Sequence, residues 1–207
     1  MSKIIIINYG IGNLVSVQNM LKKAGSEDVL ISNKIEDILR ADKLILPCVG
    51  HFDFGMKKLK ESGLIPHIEE KVLTQIVPIL GICLGAQLIT QRSDEGNKKG
   101  LGWVEAETVA FDRNKLPSRY KIPHMGWNYV KIQKENALFQ NMYETPRFYF
   151  VHSYHLKIND MKDVWLETKY GYEFCAAFQR DNIYACQFHP EKSHKYGLRL
   201  MENFVNL

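Results

Sequence analysis

The stretch Val77-Pro78-Ile79-Leu80-Gly81-Ile82-Cys83-Leu84-Gly85-Ala86-Gln87 constrains this chain more than any other. A mostly apolar run ends abruptly at a cysteine, and small and helix-forming residues follow to about Arg92. The pattern predicts a buried strand, a sharp turn with Cys83 at its tip, and a helix start. It is the cysteine counterpart of a nucleophile elbow, a strand-to-helix bend that lifts a reactive side chain above a sheet. Gly81 and Gly85 suit the bend, because glycine tolerates unusual backbone angles and lets a helix pack close to its strand. The free N–H groups and positive dipole of a helix start favour a thiolate and can receive an oxyanion.

A cysteine among apolar residues is, taken alone, an ordinary inert core thiol. The segment Gln187-Phe188-His189-Pro190-Glu191-Lys192-Ser193 argues otherwise. A cysteine nucleophile needs an imidazole to take its proton, and the imidazole needs a carboxylate to set its tautomer. In an extended segment His189 and Glu191 leave the same face, since strand side chains repeat every two residues. Pro190 stiffens the backbone between them and blocks helix. The plain alternative for Glu191 is a surface charge.

At 207 residues the chain fits one domain, 1–207, with a sizeable core. No apolar run approaches the roughly 20 residues of a membrane helix. Net charge is only +4, with no basic stripe of the kind that binds nucleic acid. The cysteines Cys48, Cys83, Cys175 and Cys186 match neither a zinc pattern nor a Cys-X-X-Cys motif, so no metal is expected. With a thiolate nucleophile and no need for disulfide staples, the reducing cytoplasm is the expected compartment.

Read in order, the first half alternates strands and helices. Lys3–Asn8, Val29–Ile31 and Lys43–Pro47 read as strands ahead of the elbow strand. Helices are expected after Asn13, with Gly25 as the stop, at Ile35–Leu39 with Asn33 and Glu36 as a capping box, at Phe54–Glu61 and at Leu64–Gln75. Short connections between them argue for a parallel sheet covered on both faces. Gly10-X-Gly12 lacks the third glycine of a dinucleotide fingerprint and reads as a tight turn near the site. After Arg92 the pattern becomes largely antiparallel. Alternating runs cover 103–111, 128–134, 148–157, 164–169, 174–179 and 183–188, and Tyr170-Gly171 and Arg180-Asp181-Asn182 look like hairpin turns. A last helix carries Leu198, Met201 and Val205 on one face.

Gly81-Ile82-Cys83-Leu84-Gly85-X-Gln87 with His189-Pro190-Glu191 resembles the class I (triad) glutamine amidotransferases. Tyr9-Gly10-X-Gly12-Asn13-Leu14, Pro123-His124-Met125-Gly126-Trp127-Asn128, Tyr149-Phe150-Val151-His152-Ser153-Tyr154 and Gln187–Ser193 resemble one branch, the HisH-type glutaminase subunits of imidazole glycerol phosphate synthase. The resemblance covers essentially the whole chain. It implies an α/β, three-layer, flavodoxin-like fold with a central, mostly parallel sheet and added antiparallel strands. It implies hydrolysis of L-glutamine to glutamate and ammonia by Cys83, His189 and Glu191 through a thioester, without a cofactor.

In that reading the oxyanion meets the N–H of Leu84 and, by resemblance, that of Val49, with Gly50 nearby. Cys48 stands where the family usually has glycine. Either its Cβ biases the peptide before Val49 toward one orientation, or it is a small residue in a tolerant loop. Gln87 lies one helical turn after Cys83. By resemblance it holds substrate together with the backbones of His152, Ser153 and Tyr154; its plainer reading is capping or packing. Asn13, Glu95, Trp127, Asn128 and Tyr149 look like contributions to a subunit interface or an ammonia exit, with Trp127 as core the alternative. The implied partner is a (β/α)8-barrel cyclase subunit of the HisF type, in histidine biosynthesis. Two other readings stay open: ammonia supply to a sugar amidotransferase of surface polysaccharide synthesis, and a catalytically silent regulatory subunit.

Overall fold

A computed structural model describes residues 2–207, except for the side chain of Cys48. Strands β1 (Ile4–Ile7), β2 (Val29–Ser32), β3 (Lys43–Cys48) and β4 (Ile79–Cys83) lie in the order β2-β1-β3-β4. They pair in parallel. Between them run α1 (Leu14–Lys23), α2 (Ile35–Leu39), α3 (Phe52–Glu61) and α4 (Ile65–Glu69), the last continued by a π turn at Glu70–Thr74. Helix α5 (Leu84–Leu88) follows β4 with no intervening residue.

Strand periodicity explains the layers. Ile5, Ile7, Leu44, Leu46 and Ile79 enter one core with residues of α2, α3, α4 and α5. Their neighbours Ile4, Ile6, Ile45, Leu80 and Ile82 enter a second core, against Val17 and Leu21 of α1 and Leu200, Met201 and Phe204 near the C-terminus. Successive side chains of a strand point to opposite faces, so a continuous isoleucine run feeds both cores.

The second half adds β5 (Ala106–Ala110), β6 (His124–Ile132), β7 (Arg147–His152), β8 (Tyr154–Ile158), β9 (Val164–Tyr170), β10 (Tyr172–Arg180) and β11 (Ile183–Cys186), then α6 (His194–Val205). Strand β11 is parallel to β4 and antiparallel to β10. From there the sheet continues through β9, β6 and β7, while β8 pairs with β5 and β10. The expected hairpins form at Gly171 (φ +79°) and Asp181 (φ +51°). Asn182 reaches back from the second hairpin and donates from Nδ2 to the carbonyls of Val72 and Val77, both at 2.8 Å.

Several sequence expectations need correction. The elbow helix ends at Leu88 rather than near Arg92, because a returning loop takes over its carbonyls. Leu101 N donates to Leu88 O and Trp103 N to Ile89 O. The alternating run over 148–157 is two strands parted at Ser153. The capping box does not form: Lys34 is the N-cap of α2, and Ser32 Oγ accepts from Lys34 N while donating to Asp37. The second long helix changes to π geometry after Glu69, and Ile76 (φ +57°) turns outward. In α6 the buried stripe is Gly197, Leu200, Met201 and Phe204; Leu198 and Val205 flank it.

Candidate active site

The carboxyl ends of parallel strands are where open α/β sheets place their ligands, and Cys83 ends β4 there. It is the N-cap of α5, at φ 52° and ψ −110°, a conformation that an L-residue adopts only under restraint. The restraint is packing. A Cβ on Gly85 would come 1.8 Å from Leu46 O, and one on Gly81 2.7 Å from Ile89 Cδ1. Helix α5 is therefore pressed onto β3 and β4 so closely that only glycine fits at the contacts. The N–H of Leu84, at the first helical position, has no intrahelical acceptor.

Strand β11 pairs Cys186 with Ile82, so the residues after it emerge at the same sheet edge as Cys83. His189 does not continue a strand into Glu191, as the sequence suggested. It has extended backbone, and Pro190–Lys192 form a 3-10 turn. Proline begins that turn at a position where its missing N–H is harmless. The turn still delivers the pair: His189 Nδ1 donates to Glu191 Oε1 at 2.7 Å. Both side chains are almost wholly buried. Ser193, not singled out from sequence, holds the turn by donating to His189 O at 2.6 Å and accepting from Tyr149 N at 3.0 Å.

Electrostatics favour a charged imidazole. Burial desolvates His189 and works against its charge, but the sulfur of Cys83 and the carboxylate of Glu191 outweigh it and raise the pKa to about 10. Nδ1 is taken by Glu191, so the buried Nε2 is the nitrogen left to face the Cys83 sulfur. Cys83 Sγ itself lies 4.0 Å from Val151 O and 3.8 Å from Gln187 Nε2.

A cavity of about 280 Å³ opens over the sulfur. Val49, Gly50, Leu84, Gln87, His152, Ser153 and Tyr154 line it with Cys83, so the expected oxyanion and substrate residues converge on one pocket. Gly50 adopts φ +127°. The side chain of Cys48 lies outside the described residues; its backbone pairs in register with Cys83. Glu95 is separated from the outer group proposed for it. It lines the same pocket, where its carboxylate accepts from Phe52 N at 2.7 Å at the start of α3.

Trp127 and Tyr149 meet edge-to-face, with ring centroids 6.3 Å apart, on an exposed face beyond the triad. Trp127 is 42% exposed and not core; it stacks on His194, with the Arg147 guanidinium over it. Asn13 is exposed at the start of α1. Asn128 turns inward, donating from Nδ2 to Lys169 O and to His124 Nε2. That second bond continues through His124 Nδ1 to His152 Nε2 at 2.9 Å, and His152 Nδ1 donates to Tyr154 O at 2.7 Å. Directions agree along this relay when both rings are neutral. Burial holds them so, lowering His124 to about 4 and His152 well below its ordinary value. His152 therefore braces the pocket wall, as a neutral ring. Among the described residues no cluster of His, Cys, Asp or Glu could hold a metal ion, and no helix is long and apolar enough to cross a membrane.

A thiol, an imidazole and a carboxylate at the carboxyl edge of a parallel sheet give fold and site the form of a cysteine hydrolase. A model of the family described as glutamine amidotransferase class-I matches residues 5–207. The chain belongs to that family. It is 54% identical over 202 residues to an imidazole glycerol phosphate synthase subunit HisH 2 of Methanococcus maripaludis, covering 98% of each chain. It is 48% identical over 204 residues to the protein of the same name from Pseudomonas aeruginosa, covering 99% of each. Among solved structures, PurLQS from Thermotoga maritima superposes with a TM-score of 0.73 at 16% identity, over 100% of this chain and 99% of that one. This last likeness speaks for the fold.

Proposed function

We propose that this chain is a single glutaminase domain, residues 1–207, and the ammonia-producing subunit of an imidazole glycerol phosphate synthase in histidine biosynthesis. The observation that carries the reading is one pocket holding Cys83, with His189 beside it and Glu191 2.7 Å behind the imidazole. Near full-length identity to two HisH subunits supports the choice of synthase.

In this mechanism the Cys83 thiolate attacks the side-chain amide carbon of L-glutamine. The oxyanion is met by the N–H of Leu84 and one from the Val49–Gly50 turn. His189, charged at neutral pH, gives its Nε2 proton to the departing nitrogen, so ammonia leaves and a thioester remains. Neutral His189 then takes a proton from water, hydroxide adds to the thioester, and glutamate departs from the sulfur. Glu191 stays ionised and keeps the imidazole oriented. Gln87 and the backbone of 152–154 hold the amino-acid end of the substrate.

Ammonia released into water at neutral pH is mostly protonated and inert as a nucleophile, so it must pass directly to an acceptor enzyme. The reading therefore includes a heterodimer in the cytoplasm with a (β/α)8-barrel cyclase subunit of the HisF type. Exposed Trp127 and half-buried Tyr149, beside the triad, suit its docking face.

The test is glutamate release with and without the barrel cyclase and its phosphoribulosyl substrate, in native protein and in Cys83→Ala. Release that needs the partner and vanishes in the variant supports the proposal. Release stimulated only by a sugar amidotransferase would reassign the pathway and keep the chemistry. No release with any partner would leave a silent regulatory subunit.

A further inference from the structure

One buried amide at the nucleophile has no place in the scheme above. The side chain of Gln187, two residues before His189, is wholly buried. Its Nε2 lies 3.8 Å from Cys83 Sγ, and its Oε1 accepts from Gln87 Nε2 at 3.0 Å. Gln87 Nε2 also donates to Tyr154 O at 3.3 Å.

Chemistry fixes the direction of this chain. A backbone carbonyl has only lone pairs, so Gln87 must turn its NH₂ toward Tyr154. The same NH₂ meets Gln187, which must answer with oxygen. A carboxamide that shows oxygen on one side shows NH₂ on the other, and that side faces the sulfur. The two amide orientations, ambiguous in isolation, are thus set by the carbonyl of Tyr154.

Gln187 and Val151 act on the sulfur in opposite senses. Val151 O, 4.0 Å away, can only accept and so favours the thiol. An N–H donor favours the thiolate, because hydrogen bonds to a charged acceptor are the stronger ones. We infer that Gln187 is a further catalytic residue, whose carboxamide donates to the Cys83 sulfur and stabilises it as the attacking thiolate. With both N–H groups of Gln87 engaged, its Oε1 is left to receive a ligand N–H, which suits the α-ammonium of an amino acid. The inference rests on the glutaminase reading for that substrate, and on geometry alone for the thiol.

Other ionisable groups face the sulfur. His189 and Glu191 follow β11, Cys186 lies on β11, His152 ends β7, and Glu95 stands across the pocket. Burial raises the Cys186 thiol well above its ordinary value and keeps His152 neutral, so neither supplies a compensating charge.

The test is the pH profile of Cys83 carbamidomethylation by iodoacetamide, read on the Cys83 peptide by mass spectrometry. Native protein is compared with Gln187→Met, which lacks the donor, and Gln187→Glu, which replaces it with an acceptor. The expected result is an alkaline shift, with about tenfold slower labelling on the acid side of the midpoint in Gln187→Met and a larger loss in Gln187→Glu. A merely structural role leaves the midpoint unmoved, and superposable profiles in folded variants overturn the inference. Should both variants fail to fold, ¹⁵N-labelled native protein decides. The Gln187 side-chain NH₂ resonances must move in step with Cys83 labelling, and invariant resonances overturn the inference. Labelling needs no substrate: native protein that labels as expected yet never releases glutamate sinks only the glutaminase reading. Unmoved profiles in a chain that does release glutamate sink only Gln187.

Discussion

Replacing Glu191 by glutamine keeps the shape of the side chain and removes its charge. An oxygen remains to accept from His189 Nδ1, now spaced 2.7 Å from Glu191 Oε1, so the ring stays in place. What changes is the protonation of the ring. The imidazolium persists in a desolvated site because Cys83 and Glu191 together hold it at about 10. A hydrogen bond to a charged group contributes about 1.5–3 kcal/mol, against about 1 kcal/mol for a neutral one. Loss of the charge therefore lowers the titration of His189 by roughly 0.4–1.5 pH units. In the proposed mechanism the imidazolium is the acid that expels ammonia, so the alkaline limb of kcat/KM for glutamate release moves to lower pH by that amount. Near neutral pH the ring stays charged and activity falls little; above the shifted limb it falls by up to about thirtyfold. The new amide nitrogen takes the place of Oε2, which is buried without a partner. The variant is accordingly less stable by about 1–3 kcal/mol. The assay is glutamate release across pH in the presence of the partner. An alkaline limb that stays put in a folded, fully active Glu191→Gln protein would refute the reasoning.

The strained elbow makes a prediction about stability. Cys83→Gly and Cys83→Ala are both inactive, but at φ 52° glycine is unstrained and alanine is not, so the glycine variant is more stable by about 1 kcal/mol in urea denaturation. Gly85→Ala drives a methyl into Leu46 O and lowers stability by about 3 kcal/mol, read as a lower urea midpoint at unchanged slope. Acid destabilises the fold through its buried neutral rings. Between pH 6.5 and about 4 the unfolded chain protonates His124 and the native chain does not, so native stability declines as pH falls through that window, by on the order of 3 kcal/mol in all. His124→Phe flattens that slope. His189 acts in the opposite sense: its contribution is complete below 6.5 and is lost as pH rises toward about 10.

The sequence made legible whatever is local and periodic. The elbow, the βα alternation and the two hairpin turns follow from apolar runs, glycines and two-residue repeats, and the structure has them where the pattern put them. The pairing of His189 with Glu191 was also readable, although a 3-10 turn rather than a strand brings them together. Contacts between distant segments were not readable. Nothing in Ser93–Gly102 says that Glu95 will reach the N–H of Phe52. The relay from Asn128 through His124 to His152 depends on the β6–β7 register, which sets His124 opposite His152. Gln187 stood in view within the His189 segment, but its meaning lies in Gln87 and Tyr154, both on other elements.

The proposed mechanism requires Cys83 to carry the acyl group. Native protein is mixed with isotope-labelled glutamine and partner, quenched in acid during turnover, digested, and mapped by mass spectrometry. A label on the Cys83 peptide that hydroxylamine removes, and that Cys83→Ala lacks, is the predicted result. Glutamate production with no label on that peptide at any quench time, or with the label on the Cys48 peptide instead, would contradict it.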